Sequence, residues 1–143
     1  MKNNIDLRRV YDVAIDAKPD IREYLNCGYI NREIQNTLNE KTKYGWEFVE
    51  GSIAPNRVDY EEHGYVRLPA SNGKVPDEII VDGAIKQFCE ENSGKIWVTL
   101  DERRKLPEVA ITTKNKQLMQ KLNEYTGNTG QSGLHKIFST HIR

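Results

Sequence analysis

The chain has 143 residues, of which 37% are hydrophobic and 29% are charged. A domain of this length buries roughly 68–70% of its unfolded surface. Because apolar residues are few, we expect a second copy of the chain to complete part of the core in a homo-oligomer. Lys plus Arg and Asp plus Glu both number 21, so the net charge is zero. This balance disfavours binding to bulk nucleic acid, which draws affinity from an excess of basic residues.

Cysteine usage and apolar stretches indicate the compartment. Cys27 and Cys89 are far apart and form no CxxC or metal-ligand spacing, which predicts two free thiols in a reducing cytosol. The first twelve residues have no apolar segment typical of a secretory signal. No stretch approaches the roughly 18 apolar residues of a membrane span. We therefore expect a cytoplasmic protein with no membrane segment.

The first third of the chain predicts a β-α-β opening. Residues 8–17 (RRVYDVAIDA) are rich in β-favouring side chains and predict a strand. Residues 28–45 predict a helix that ends at Gly45, since three apolar residues recur four apart on one face: Ile30, Ile34 and Leu38. Residues 46–54 (WEFVEGSIA) predict a second strand, with Trp46 covering the end of the helix.

After a short strand at 65–75, residues 76–142 predict an α-β-β-α-β order. The elements are a helix at 76–92, a hairpin of strands 95–101 and 108–113, a helix at 114–127 and a strand at 135–142. Together these elements predict a single α+β domain over residues 1–143. Its sheet is mixed or antiparallel, with two to three packed helices. If the chain has a domain boundary, or seam, it would fall in the polar and turn-rich segment 55–75.

The sequence contains no catalytic constellation. Its histidines are His63 in a predicted loop, and His135 and His141 in a predicted terminal strand. No HxH, HExxH or Cys-His pattern accompanies them, so ordinary surface or half-buried histidines are the favoured interpretation. The acidic clusters at 59–62 and 90–92 lack EF-hand spacing and are typical of a solvated face. We therefore predict a protein that is not an enzyme and has no cofactor.

Three arginines are candidate phosphate ligands. Arg103 and Arg104 stand in the predicted hairpin turn, where planar guanidinium groups could hold a diphosphate bidentately. The alternative is an ordinary solvent-exposed turn, whose charged residues favour the solubility of the protein. Arg57, in a polar loop, is a third candidate, and an ordinary surface loop is its alternative.

Phe88 and Asn92 could recognise a nucleobase. They lie four residues apart on the predicted 76–92 helix and would be neighbours on its surface. A ring for stacking and an amide for a base edge suit an adenine. The alternative places Phe88 in the core, because it continues the apolar stripe of that helix.

The segment YTGNTGQSG, residues 125–133, could bind phosphate groups. Its glycines adopt positive φ at no steric cost, and successive backbone N–H groups in such turns form anion-binding nests. The candidate ligands are Thr126, Gly127, Asn128, Thr129 and Gly130. The segment follows a helix and lacks the Gly-Lys-Ser/Thr ending, so it is not a Walker loop. The alternative is a plain connector whose first glycine ends the helix.

One local stretch resembles LAGLIDADG homing endonucleases. The stretch is PEVAITTKNKQLMQKLNEYTG, and the α-β-β-α-β order over residues 76–142 is similar to theirs. The acidic motif of that family is missing, since IIVDGAIKQF is only faintly similar to it. Because the net charge is also zero, the nuclease activity of that family is not carried over.

Nearly the whole chain resembles the phage Thoeris anti-defense protein 1 family. The resemblance lies in the chain length, the opening with YGWEFVEG and, above all, TGNTGQSG. It implies a non-enzymatic protein that sequesters the cyclic ADP-ribose isomer made by a host TIR enzyme. It also implies dimers that assemble into hexamers, with pockets at subunit boundaries, and in some members a separate site for cyclic trinucleotides.

The function predicted from the sequence is therefore immune evasion by binding and sequestering a cyclic nucleotide signal. The expected partners are that small ligand and further copies of the chain. Two alternatives stay open. One is a phage inhibitor that acts through direct protein–protein contact, of the anti-restriction or anti-CRISPR type. The other is a LAGLIDADG-like relative that binds nucleic acid.

Overall fold

The computed structural model describes residues 5–18, 27–53, 61–70, 77–84 and 108–127. These residues form three helices and one four-stranded antiparallel sheet, which confirms the predicted α+β class. The elements, in chain order, are α1 (Leu7–Ala17), α2 (Cys27–Thr42), β1 (Glu47–Ile53), β2 (Glu61–Leu68), β3 (Ile79–Asp82), β4 (Ala110–Thr113) and α3 (Lys116–Thr126).

The sheet has the order β1-β2-β3-β4, and each neighbouring pair is antiparallel. Alternate residues of one face, among them Val66, Val81 and Ile111, pack with the apolar sides of all three helices. The opposite face is buried as well, through residues that include Tyr65 and Ile80. Strands β3 and β4 are buried at every position. A sheet covered on both faces needs continuous apolar runs rather than strict alternation.

The predicted strand at residues 8–17 is wrong, because this segment is helix α1. Its buried residues follow a helical spacing, namely Leu7, Val10, Val13 and Ala14. Asp6 caps the helix, since its carboxylate accepts a hydrogen bond from Arg8 N at 3.0 Å. The β-branched valines favour a strand locally, but the apolar stripe that they form is buried as one side of a helix that packs against α2 and α3. The chain therefore opens α-α-β rather than β-α-β.

Helix α2 and strand β1 confirm the predicted helix and the strand that follows it. Trp46 is buried between them, and its indole Nε1 donates to Thr42 Oγ1 at 2.9 Å. Asn39 bonds both backbone groups of Trp46, accepting from its N–H at 2.6 Å and donating to its carbonyl at 2.9 Å. The position predicted for the helix-ending glycine is wrong. The helix stops at Thr42, Lys43 takes the left-handed conformation with φ 60°, and Gly45 takes φ 82° two residues later.

The predicted helix at 76–92 is also wrong where the structure describes it, since Ile79–Asp82 is strand β3. The run IIVD is buried at all four positions, which a strand between two neighbours in a doubly covered sheet achieves. A short apolar run does not by itself distinguish such a strand from a buried helix turn. Strand β2 likewise begins at Glu61, four residues before the predicted start.

The predictions for β4 and α3 are confirmed. Asn115 caps α3, its Oδ1 accepting from Leu118 N at 3.1 Å, and Met119 and Leu122 face the core. The predicted strands 95–101 and 135–142, the turn between 101 and 108, and most of the seam at 55–75 lie outside the described residues. In the part of the chain that the structure describes, no helix is long and apolar enough to cross a membrane.

Candidate functional site

Most of the sequence-predicted ligand residues lie outside the described residues, so their placement stays a prediction. These are Arg57, Phe88, Asn92, Arg103, Arg104, Asn128, Thr129 and Gly130. Two lie inside, at the end of α3. Thr126 is half-buried and its hydroxyl donates to the carbonyl of Leu122 at 3.0 Å. Gly127 has φ 69° and ends the helix in the left-handed conformation, as both interpretations of the loop require of its first glycine.

A buried polar network joins α2 to the ends of β2 and β3. The side-chain Nδ2 of Asn31 donates to the backbone carbonyl of Gly64 at 2.8 Å and to Asp82 Oδ1 at 3.0 Å. Its side-chain Oδ1 accepts from Gly83 N at 2.8 Å. His63 Nε2 lies 2.6 Å from Asp82 Oδ2. Burying so many polar groups is tolerated because they bond one another.

The histidine–aspartate pair in this network has a structural role. The side chains of His63 and Asp82 are both 0% exposed, so a substrate has no route to either. Asp82 Oδ1 also accepts from Ala84 N at 2.8 Å, which fixes the turn after β3. His63 therefore lies in a strand and in the interior, not in the loop predicted for it.

An open groove on the surface is the stronger candidate for a binding site. Its volume is ≈ 780 Å³, and it runs along strand β1 beside α2 and β2. Arg32 and Phe48 line it from the helix-covered face of the sheet, and Arg67 lines it from the opposite face, because Arg67 is paired with Glu47 and Phe48 with Val66. Positive fork-shaped groups beside a ring are the parts that bind phosphates and a flat heterocycle.

The ring of Phe48 lies flat between the sheet and a guanidinium group. Beneath it is Gly64, where an added Cβ would come within 2.5 Å of Phe48 Cζ. The missing side chain at Gly64 therefore makes room for the ring. Above it, the guanidinium carbon of Arg32 is 4.5 Å from the ring centroid, a cation–π contact. The outer face of a stacked guanidinium is itself a surface on which a nucleobase can stack.

Arg67 supplies the second positive charge in the groove. Its Nη1 lies 3.3 Å from a carboxylate oxygen of Glu78, and its Nη2 lies 3.4 Å from one of Glu47. Its Nε is buried and has no hydrogen-bond acceptor among the residues that the structure describes. A buried donor without an acceptor costs free energy. Nearby, burial raises the pKa of Tyr65 above its ordinary value of 10.0, and the carboxylate of Glu78 raises it further.

Sequence reasoning missed this groove because its parts come from three elements. Arg32 lies on α2, Phe48 on β1 and Arg67 on β2. On the sequence Arg32 is one more polar residue on the exposed face of a helix. Phe48 facing the glycine of a neighbouring strand is a pattern that could have indicated the groove. That pattern can be recognised only when the pairing register of β1 and β2 is known.

A smaller cavity of ≈ 330 Å³ lies between the start of α1 and α3. It is lined partly by Arg8, Leu118 and Lys121. The N-terminus of α1 that opens there is already capped by Asp6. Burial alone would raise the pKa of Asp6, but hydrogen bonds and charge from Arg8 outweigh it and lower that pKa. Asp6 therefore already occupies the N-terminus of α1, and the groove along β1 is the better candidate.

The described residues thus define an antiparallel α+β domain with a surface groove that is lined by two arginines, two glutamates and an aromatic ring. Within them, no group of three or more His, Cys, Asp or Glu side chains is placed to hold a metal ion. Comparisons with known proteins found no matching family model, curated protein or solved structure. The resemblance to Thoeris anti-defense proteins therefore stays a prediction that rests on the quoted motifs.

Proposed function

We propose that this protein binds and sequesters an anionic nucleotide signal of a bacterial defence system, a cyclic ADP-ribose isomer or a related cyclic nucleotide, without converting it. The observation that carries this proposal is the groove along β1, where Arg32 stacks on Phe48 and Arg67 lines the same groove from the other face of the sheet. The resemblance to the Thoeris anti-defense family supplies the class of signal.

The chemistry of the groove suits such a ligand. A base would stack on the outer face of Arg32, whose position over Phe48 limits its motion. Phosphate oxygens would accept hydrogen bonds from Arg67, which is less exposed than Arg32, at 23% against 60% of the side chain. Partial burial strengthens a charge-assisted hydrogen bond, because water competes less for both partners.

Capture without turnover requires affinity and no general base aimed at the ligand. The described pair that resembles a catalytic dyad, His63 and Asp82, is sealed inside the domain. A nanomolar dissociation constant corresponds to about 12 kcal/mol. A shallow groove on one protomer leaves much of a ligand in solvent, and a second copy closing over it would bury the rest. The homo-oligomer expected from the composition thus belongs to the same proposal.

The first experiment tests sequestration itself. Purified protein is mixed with the product of a TIR enzyme, separated from free ligand and then heat-denatured. We expect intact signal to be released and identified by mass spectrometry. If the protein takes up no signal, and none copurifies with it, sequestration is wrong and an inhibitor that binds another protein becomes the better interpretation.

The second experiment tests the groove. Arg32→Ala and Arg67→Ala should each weaken capture of the signal about tenfold or more in calorimetric titration, because each removes a charge-assisted contact. Arg9→Ala, on the exposed side of α1, is the matched control and should bind like the wild type. Equal affinities for all four proteins would exclude the groove as the site.

The residues predicted outside the described ranges are tested separately. Arg103→Ala or Arg104→Ala should weaken capture with little loss of stability if the turn holds phosphate. Joint replacement of Asn128 and Thr129 tests the glycine-rich loop in the same way. Unchanged uptake in these variants would make the turn a solvated surface and the loop a connector.

A further inference from the structure

Each arginine of the groove stands beside a carboxylate. Arg32 Nη2 is 3.4 Å from Glu50 Oε1, and Arg67 Nη2 is 3.4 Å from Glu47 Oε2. All four residues line the groove, Arg32 and Glu50 from the helix-covered face of the sheet and Arg67 and Glu47 from the opposite face, and their formal charges cancel. A site for a bare phosphate or diphosphate would be positive overall. This groove instead offers acceptors next to donors, which suits a ligand that carries hydroxyl groups next to its phosphates.

Both ion pairs are weak enough for a ligand to open them. Their contacts are long, and the carboxylates are 79% and 50% exposed for Glu50 and Glu47. Exposed pairs of this kind contribute little to stability. Once a phosphate or a base takes the guanidinium, the carboxylate loses its donor and faces a negative ligand. A vicinal diol removes that conflict, because its two O–H groups donate to the two oxygens of one carboxylate.

We propose that Glu50 recognises the ribose hydroxyls of the bound nucleotide, an inference that rests on the proposed function. Glu50 pairs with Arg32, the residue on which the base would stack. In a nucleotide the ribose is bonded directly to the base, so the carboxylate next to the stacking group is the one that meets the sugar. Glu47 pairs with Arg67 and meets the phosphates, which it repels without distinguishing one sugar from another.

Calorimetric titration with ADP, 2′,3′-dideoxy-ADP and inorganic pyrophosphate tests this assignment. We expect the wild type to bind ADP about tenfold more tightly than the dideoxy nucleotide, and to bind pyrophosphate more weakly than either. In Glu50→Gln the preference for ADP over dideoxy-ADP should fall to about twofold or less. In Glu47→Gln, the matched control on the same strand, both nucleotides and pyrophosphate should bind more tightly and the tenfold preference should persist.

The outcomes separate this inference from the proposed function. If ADP and dideoxy-ADP bind the wild type equally well, the ribose recognition is wrong while nucleotide binding stands. If Glu50→Gln keeps the tenfold preference, the assignment to Glu50 is wrong. If neither nucleotide binds, the groove is not a nucleotide site and both proposals fall. Thermal melting of each variant checks folding. Because both glutamates are exposed, their substitution should leave the melting temperature unchanged.

Discussion

Replacing Gly64 by alanine should destabilise the protein through a single contact, the ring of Phe48. An alanine Cβ would lie 2.5 Å from Phe48 Cζ and 3.1 Å from Cε1. Carbon atoms in contact prefer about 3.5–4.0 Å, so the ring must move by roughly 1 Å. Its third-nearest contact, at 3.4 Å, is another atom of the same ring, so every other neighbour lies at an ordinary distance.

The expected cost follows from this geometry. Overpacking of this kind lowers the free energy of unfolding by about 1–3 kcal/mol. Displacing the ring also disturbs its stack with Arg32, a contribution of about 0.5–1 kcal/mol at an exposed site. When Phe48 is itself alanine, the obstacle is gone. The same Gly64→Ala change should then stabilise by about 0.5–1 kcal/mol, because alanine loses less backbone entropy in a strand than glycine does.

The assay is a double-mutant cycle in urea, with four proteins: the wild type, Gly64→Ala, Phe48→Ala and the double variant. The sign of the Gly64→Ala effect should reverse between the two backgrounds. In the wild-type background the same change should also weaken ligand capture by the groove. An equal loss of stability in both backgrounds would show that the Phe48 ring is not what Gly64 accommodates.

Three further substitutions test the buried network around Asn31, the hydrogen bonds between Asn39 and Trp46, and the buried phenol of Tyr65. Asn31→Ala removes three buried hydrogen bonds and should lower the free energy of unfolding by about 3 kcal/mol. Asn36→Ala, on the exposed side of the same helix, should change it by less than about 0.5 kcal/mol, and equal effects would contradict the role of the network. Asn39→Ala removes the two hydrogen bonds that Asn39 makes to the backbone of Trp46 and should lower the free energy of unfolding by about 1–2 kcal/mol. An unchanged midpoint in urea would contradict this role of Asn39. Because burial raises the pKa of Tyr65 above 10.0, the folded protein keeps its proton at a pH where the unfolded chain loses it, so stability is full below pH 10.0 and falls above it. Unfolding curves between pH 8 and 11 should show a steeper loss in the wild type than in Tyr65→Phe, and parallel losses would contradict this expectation.

The spacing of apolar residues predicted helices α2 and α3 correctly. Ile34 and its neighbours on α2 recur every four residues, and Leu122 on α3 belongs to a similar stripe. Trp46 was correctly placed over the end of α2, because a large ring directly after a helix has few other places to be buried. These features depend on contacts between residues close in the chain.

Two elements were decided only by the tertiary structure. Residues 8–17 have strand propensity, yet Val10 and Val13 become one side of a helix because that side packs against α2 and α3. Residues 79–82 lie in a strand because both faces of the sheet are buried around Ile80. Local propensity differs by about 1 kcal/mol or less per residue, and burial of a large side chain exceeds that.

By itself, the sequence determined the balance of charge, the α+β class and the helices α2 and α3. The groove was decided by the tertiary structure, because Arg32, Phe48 and Arg67 come from three elements and line one groove only through the pairing of β1 with β2 and the packing of α2 on the sheet. The buried network around Asn31 was decided in the same way. Spacing along a chain records which side of an element is buried, whereas the meeting of distant side chains depends on how those buried sides pack together.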